Sequence, residues 1–476
     1  MENQREGPVR QESSSKRRAR TRPVLIASVA GCAVLGGVLV LLPRERPAEP
    51  AAPSPGALAM AAVGNGVPAT LPGLAELIDE REKAVRTRPR EATSWAVLGA
   101  AYVEQGRRLA DPAYYPRAER ALRRSLTVRP QRNTRALAGL AALANARRDF
   151  PAARRWGEAA LKVEPRRWTT YPLLIDAYTG LGEHEAAKRT LDRLTTLRSG
   201  PAVLARAATV YRDRGWQEDA AAALADAAAG ARAPAERAAY RERAGQLAWE
   251  RGDPEGALRH FREAVRLDPD QRAAQAGQGR ALAALGRTTE ALNAYRVALA
   301  GQPRPQYALE LGELYESLGM PEAARVQYDL LRERVRGAAA GGADEELVLG
   351  RFEADHGDPE AAVRRLRAEW RRQPAAEVAD ALGWALYRAG EPGKALRFAL
   401  SATAAEPGGG ARDAVYMYHR GMIERKLERY GAARRHLAEA LRINPHFSPL
   451  HGRAAREASE ALGEPPDEEV PQMAGD

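Results

Sequence analysis

The pattern of small and apolar positions along the chain repeats every 34 residues, at least ten times between Ala92 and Phe447. Within each copy the apolar residues recur three or four positions apart, the spacing that places them on one face of an α-helix. The copy over 238–271 carries Gly245, Ala248, Gly252, Ala257, Phe261, Ala264 and Pro269. Small residues let two helices approach closely, and a proline ends the second helix because it has no N–H to donate. The pattern therefore predicts two antiparallel helices per unit.

One such unit leaves an apolar face exposed, so the units are expected to stack into a solenoid of about ten helix–turn–helix pairs over 92–447. Small, apolar and proline residues recur at the repeated positions in other copies. Examples are Trp95, Leu98, Gly99 and Tyr102; Gly279, Leu282, Gly286, Ala291, Tyr295 and Pro303; Gly421, Ala433, Leu437, Ala440 and Pro445. This spacing resembles that of the tetratricopeptide repeat family, over about three quarters of the chain. The resemblance implies an all-α fold, a right-handed superhelical solenoid whose first helices line a concave face.

The segments at the two ends of the solenoid differ from the repeats in composition. Helical patterns over 74–89 and 448–462 are predicted to be capping helices that cover the terminal apolar faces. The proline-rich segment 43–73 is predicted to be a flexible stalk, and the acidic segment 463–476 a disordered tail.

Residues 24–42 form a run of 19 residues without a charge, long enough to span the hydrocarbon core as a helix. Seven basic residues precede this run, and Arg44 and Arg46 follow it. The positive-inside rule therefore places the tail 1–23 in the cytoplasm and the solenoid outside it, in a single-pass protein of the cell membrane. Alternatives remain open: a cleaved signal, a twin-arginine signal, a lipoprotein that carries lipid on Cys32, and a solenoid that faces the cytoplasm.

The composition changes this interpretation little. Of the 73 basic residues only six are lysine, which indicates the codon usage of a high-G+C bacterial genome. The formal net charge is +11, but aspartate and glutamate are interleaved with arginine along nearly every helix. The charge therefore indicates a solvated mixed surface, and no nucleic-acid partner is expected.

No catalytic or cofactor-binding motif occurs in the sequence. The seven histidines do not form the HExxH motif, and no phosphate-binding glycine loop is present. His419 and His436 are predicted on partner helices of one unit, but their neighbours supply no carboxylate or thiol at metal-ligand spacing. The sequence therefore predicts a non-enzymatic scaffold without metal or cofactor, anchored in a bacterial membrane and binding a peptide or protein.

The candidate binding residues lie on the predicted concave face. Aromatic, methionine and arginine side chains together are typical of interface hot spots. The chain provides them at Trp384, Tyr387, Arg388, Tyr418, Met422 and Arg425, and at Trp249 in an earlier unit. The alternative is that Trp384 and Tyr418 pack against each other as core residues.

The first unit carries about seven extra residues, 109–115, between its helices. Insertions in solenoids form loops on one face, often the binding face. Tyr114 and Tyr115 are therefore further candidates for partner contacts. The alternative is that both rings pack onto the solenoid and hold the insertion in place.

Overall fold

The computed structural model describes residues 53–404 and 412–463. Within these residues the chain forms 23 α-helices and no strand. The helices, numbered in chain order, are α1 Pro55–Asn65, α2 Leu71–Thr87, α3 Ala92–Leu109, α4 Tyr114–Val128, α5 Thr134–Ala146, α6 Phe150–Val163, α7 Tyr171–Gly180, α8 His184–Leu197, α9 Pro201–Asp213, α10 Gln217–Gly230, α11 Pro234–Glu250, α12 Pro254–Leu267, α13 Arg272–Ala284, α14 Thr288–Gly301, α15 Pro305–Ser317, α16 Pro321–Ala340, α17 Glu346–His356, α18 Pro359–Arg372, α19 Ala376–Arg388, α20 Pro392–Ala402, α21 Ala414–Lys426, α22 Tyr430–Ile443 and α23 His451–Leu462.

Ten helix pairs, from α3–α4 to α21–α22, form the repeating units of a solenoid. Each helix packs on its partner within the unit and on the helices of the next unit. The α1–α2 pair precedes the first unit, and α23 packs on the last one. The prediction of an all-helical repeat fold is confirmed for the part of the chain that the structure describes.

The helix crossings explain why small residues recur in the sequence pattern. A Cβ added at Gly245 of α11 would lie 2.6 Å from the ring of Phe261 of α12. Phe261 itself has no solvent exposure. The same contact recurs in other units, at Gly279–Tyr295, Gly312–Tyr328, Gly350–Leu366 and Gly421–Leu437. A side chain at the glycine would therefore separate the two helices of its unit.

The flexible stalk predicted over 43–73 is wrong from Pro55 onward, because Pro55–Asn65 is helix α1 and α2 begins at Leu71. Pro55 occupies the first turn of α1, where its missing N–H breaks no helical hydrogen bond. The hydroxyl of Ser54 caps the helix by accepting from the Ala57 N–H at 3.2 Å. Proline at these positions therefore marks the starts of helices rather than an extended chain.

Turns of the early units contact connections that lie about five units further along the chain. The Gln302 amide donates to the backbone oxygens of Arg107 and Arg108, at 3.0 Å each. Asn444 donates to the backbone oxygen of Trp249 at 2.8 Å, across the same separation of 195 residues. We call this line of contacts the seam; it joins the turns near 107–113, 147–148, 182 and 252 to the connections 302–304, 341–344, 374–375 and 443–444. The solenoid therefore closes onto itself.

The seam also contains the insertion of the first unit. Pro112 lies against the end of α16, where a Cβ added at Gly341 would be 2.5 Å from the Pro112 backbone oxygen. Next to it, the Asp344 N–H donates to the backbone oxygen of Arg147 at 2.9 Å. The extra residues thus hold two parts of the solenoid together.

Close approach at the seam requires glycine at two within-unit turns. Gly252 has φ +75°, and a Cβ there would lie 2.6 Å from the backbone oxygen of Ile443. Gly182, with φ +71°, meets the backbone oxygen of Pro374 at 3.0 Å in the same way. Gly286 has the same turn conformation, φ +72°, but no heavy atom within 4 Å of its added Cβ. The turns at Gly182, Gly252 and Gly286 therefore share one backbone conformation, but only the first two lie against a distant part of the chain.

We expect Gly252→Ala to destabilise the seam by about 2–4 kcal/mol, about 1 from left-handed backbone strain and about 1–3 from the clash with Ile443. Gly286→Ala is the matched control, because it carries the backbone strain alone. Hydrogen exchange of the full chain measures both variants. Gly252→Ala should lower protection around Ile443 as well as around its own turn. Equal effects of the two substitutions, each confined to its own unit, would contradict the seam.

No helix in residues 53–404 and 412–463 is long and apolar enough to cross a membrane. The predicted membrane helix 24–42 and the basic tail 1–23 lie outside the described residues. The same is true of the acidic tail except Gly463.

Candidate functional site

The first helices of the units surround a cavity of about 1070 Å³. Every first helix from α7 to α21 contributes to its lining, and α23 adds His451. This is the face that the family resemblance predicted to be concave. The volume is that of a large ligand pocket, enough to enclose several residues of an extended chain.

Both apolar and charged side chains line the cavity, and the charged ones differ in number by sign. Among the described residues the carboxylates are Asp176, Asp213, Glu250, Glu310, Glu313, Asp355, Glu377, Asp380 and Asp413, and the arginines are Arg212, Arg214, Arg280, Arg351, Arg412 and Arg456. Nine negative and six positive groups leave a net charge of −3 with the histidines neutral. The whole chain carries +11. The cavity therefore has the opposite sign to the protein that encloses it.

Trp384 lies at the centre of a ring cluster on the cavity lining. Its ring stacks on His419 with centroids 4.1 Å apart and lies 4.9 Å from Tyr387 and 5.6 Å from Tyr418. The indole Nε1 donates to Asp355 at 2.9 Å, and 4% of the residue is exposed. Trp384 is thus packed on its faces and satisfied at its polar atom.

Basic and hydrogen-bond-donating side chains from two other helices lie around Asp355. Burial opposes its ionisation, but His451 at 3.7 Å and the hydrogen bond from Trp384 outweigh burial and hold its pKa at about 2. Arg388 also pairs with Asp355. The positive charge of Arg388 is therefore paired within the protein.

The structure brings most of the predicted binding residues into this cluster. Tyr418 is 2% exposed, and its ring also stacks on His451 at 5.1 Å. Tyr387 and Met422 are partly buried and pack against the same core. The burial of Trp384 and Tyr418 favours the packing alternative for these two side chains. The cluster stays a predicted contact surface.

The other predicted residues lie apart from the cluster. Trp249 lines the cavity but belongs to a different core and is 9% exposed. Arg425 is in the last turn of α21 and does not line the cavity. Tyr115 is 6% exposed and fills the space beside Gly106, and the Tyr114 ring lies 6.2 Å from Tyr102. Neither tyrosine lines the cavity, which favours their role in holding the insertion.

Two C-terminal histidines, His419 and His436, pair with a carboxylate on another helix. His419 Nδ1 lies 3.0 Å from Asp380, and His436 Nδ1 lies 2.6 Å from Glu424. No group of three or more histidine, cysteine, aspartate or glutamate side chains in the described part of the chain is arranged to hold a metal ion. The sequence did not show these pairs, because Asp380 precedes His419 by 39 residues.

Asp413 is a carboxylate of the cavity lining at the start of α21. Its Oδ1 accepts from the N–H groups of Val415 and Tyr416 at 2.8 and 3.3 Å and so caps α21. It forms no ion pair within 4.0 Å among the described residues. Burial, and then the neighbouring charges of Glu250 and Asp380, raise its pKa to about 6. The sequence predicts this helix cap, because the aspartate directly precedes an apolar helical run. The neighbouring charges lie on other helices and are not predictable from the local sequence.

We expect Asp413→Asn to increase the free energy of unfolding by about 1–3 kcal/mol at pH 7.5. The pKa of this carboxyl is higher in the folded state than its ordinary value of 3.8, so ionisation disfavours the fold. That cost is fully present above pH 6 and disappears as the pH falls from 6 towards 4. Asparagine keeps the helix cap while removing the charge. Urea unfolding followed by circular dichroism should show the variant's advantage at pH 7.5 and none at pH 4; an equal advantage at both would contradict the charge argument.

Comparison with known proteins agrees with the repeat architecture. Tetratricopeptide repeat profiles match residues 206–271, 242–308 and 278–339, and a second such profile matches 414–447. The segment 414–447 spans the α21–α22 unit, and each of the other three begins within a first helix and extends over about two units. The chain therefore contains tetratricopeptide repeats in these segments. No curated protein sequence matches it.

Several solved structures resemble the chain in fold at low sequence identity. A human IFIT1 dimer with PPP-AAAA is 17% identical, with 68% of this chain and 76% of that chain covered and a TM-score of 0.45. PilF of Pseudomonas aeruginosa is 19% identical over 43% of this chain and 92% of its own, with a TM-score of 0.35. A tetratricopeptide repeat protein of Parabacteroides merdae is 17% identical over 56% and 99%, with a TM-score of 0.32.

Proposed function

We propose that this protein is a non-enzymatic scaffold that binds an extended segment of a protein partner inside the cavity. Tetratricopeptide repeats generally mediate protein–protein binding. The observation that carries the proposal is the cavity itself, about 1070 Å³ lined by the first helices of eight units and by α23. An extended segment fits better than a folded domain, because a volume of about 1070 Å³ holds only several residues.

The polar lining supports binding of a peptide and opposes an anionic ligand. Backbone N–H and C=O groups of an extended chain need polar partners once they leave water. The charged and amide side chains of the lining, such as Gln246 and Gln306, supply such partners. The IFIT1 structure contains PPP-AAAA, but the net charge of −3 in this cavity would repel phosphates.

A cavity-filling substitution tests this function. Ala284 lines the cavity, and Ala284→Trp would occupy part of its volume. Ala225 is exposed on α10 and outside the cavity, so Ala225→Trp is the matched control. In affinity purification of the full chain from membranes, the partner recovered with wild type should remain with Ala225→Trp and be lost with Ala284→Trp. Retention of the partner by both variants, with unchanged circular dichroism, would reject the cavity as its binding site.

We further propose that residues 24–42 anchor the scaffold in a bacterial cell membrane with the solenoid on the extracytoplasmic side. The support is the uncharged run of 19 residues and the excess of basic residues before it. Reporter fusions at the C-terminus should show extracytoplasmic activity, and N-terminal sequencing should find the residues before Val24. Cytoplasmic reporter activity would reverse the orientation, and a mature chain that begins at a lipid-bearing Cys32 would replace the helix by a lipid anchor.

A further inference from the structure

Three carboxylates and one arginine from three consecutive units form a group in the cavity. Arg351 of α17 faces Glu377 and Asp380 of α19 and Asp413 at the start of α21. Burial and the charges of these three carboxylates raise the pKa of Tyr416, which lies among them. Glu250 approaches the same place from α11 and adds a further negative charge. Glu377 also pairs with Arg148 at 3.4 Å and Glu250 with Arg212 at 3.7 Å. Among the described residues, Asp380 and Asp413 are therefore the carboxylates of this group that pair with no arginine.

A buried side chain beside this group has an unused polar atom. His419 lines the cavity and is 6% exposed. Its Nδ1 lies 3.0 Å from both oxygens of Asp380, and an ionised carboxylate only accepts, so Nδ1 carries the proton. The other ring nitrogen, Nε2, is buried and has no hydrogen-bond partner among the described residues. In the neutral ring this nitrogen is an acceptor, the complement of an N–H donor on a ligand.

We propose that the segment bound in the cavity is positively charged, with a lysine or arginine side chain placed among Glu377, Asp380 and Asp413 beside His419. This inference rests on the proposed function and adds the chemistry of the partner. A ligand ammonium or guanidinium supplies N–H donors to the carboxylates and to the free acceptor, and it compensates the charge of Asp413. The retention of an uncompensated carboxylate, at a cost to stability, is the pattern of a binding site.

The sign of the charge separates this site from the rest of the surface. With a formal charge of +11, the outside of the protein attracts acidic peptides and repels basic ones. A preference for a basic peptide must therefore come from the cavity, where the described lining carries −3. The charge of the exterior therefore predicts a preference for acidic peptides, whereas the charge of the proposed site predicts a preference for basic ones.

The test uses the full chain in detergent and three fluorescent peptides of equal length, which alternate alanine with lysine, with glutamate or with serine. Fluorescence anisotropy should show that the lysine peptide binds most tightly. Asp413→Asn should weaken this binding about tenfold or more, the scale of one lost charged hydrogen bond, although the same substitution stabilises the fold. Glu322→Gln removes the same charge from an exposed side chain outside the cavity and should change neither property.

The outcomes distinguish this inference from the proposed function. If the serine or glutamate peptide binds more tightly and Ala284→Trp abolishes that binding, the cavity binds peptides but the positive charge of the partner is wrong. If the lysine peptide fails to bind, or binds Ala284→Trp and Asp413→Asn as tightly as wild type, the proposed site is wrong. If Ala284→Trp weakens the binding of none of the three peptides and also retains the partner recovered from membranes, the proposed function is wrong as well.

Discussion

Trp384→Ala should lower the free energy of unfolding by about 3–5 kcal/mol, the cost of deleting a large buried aromatic side chain. Trp384 is 4% exposed and lies between the rings of His419 and Tyr387. Its removal leaves a cavity among these rings and takes from Asp355 the hydrogen bond that Nε1 donates at 2.9 Å. Urea unfolding followed by circular dichroism measures the loss, and hydrogen exchange should place it in α17, α19 and α21.

Two further substitutions separate packing from hydrogen bonding in this prediction. Trp384→Phe keeps a ring but removes the donor to Asp355, so it should lose less stability than the alanine variant. Tyr430 is 50% exposed, and Tyr430→Ala should change stability by less than about 0.5 kcal/mol. If Trp384→Ala unfolded at the wild-type urea concentration yet lost the partner, the side chain would be a contact residue rather than part of the core.

Arg108→Ala should destabilise the protein by about 3–5 kcal/mol, because it leaves a buried carboxylate without its partner. Arg108 lies at the end of α3, and its guanidinium meets Asp268 at 2.8 Å, with 5% and 8% of the two side chains exposed. These residues are 160 positions apart and adjoin the seam. Hydrogen exchange should therefore show lost protection near both Arg108 and Asp268.

The preceding arginine provides the matched control. Arg107 pairs with Glu104 on its own helix and is 46% exposed, so Arg107→Ala should cost less than about 1 kcal/mol. Asp268→Ala added to Arg108→Ala removes the stranded charge and should recover part of the stability. Similar losses from both single arginine variants would show that the Arg108–Asp268 pair does not hold these units together.

The fold was predictable because its cause is local. The 34-residue spacing of glycine, large apolar residue and proline reflects helix crossings such as Gly245 on Phe261, which repeat within every unit. The side of the solenoid that lines the cavity was implied by the resemblance to the tetratricopeptide repeat family. The stalk was misjudged because proline favours both extended chain and the first turn of a helix, and only a cap such as Ser54 separates the two.

The seam and the chemistry of the cavity were not predictable from spacing. The glycines at 252 and 286 have the same place in their repeats, but only the first meets another part of the chain. Which turn meets which connection depends on small rotations between units that add up over the solenoid. The partners of Trp384 and His419, Asp355 and Asp380, are 29 and 39 residues away on other first helices. Side chains that reach between units leave no pattern within a single repeat.

The seam fixes the number of units that this protein tolerates. In an open solenoid each repeat touches only its neighbours, so a unit is added or deleted with every interface preserved. Here the contacts of Gln302 with Arg107 and of Asn444 with Trp249 both bridge 195 residues. Insertion of one more 34-residue unit between the two sides of the seam would preserve every interface between neighbouring units. It would also move every seam contact out of alignment. This part of the chain therefore cannot lengthen by duplication of a repeat without losing the seam contacts.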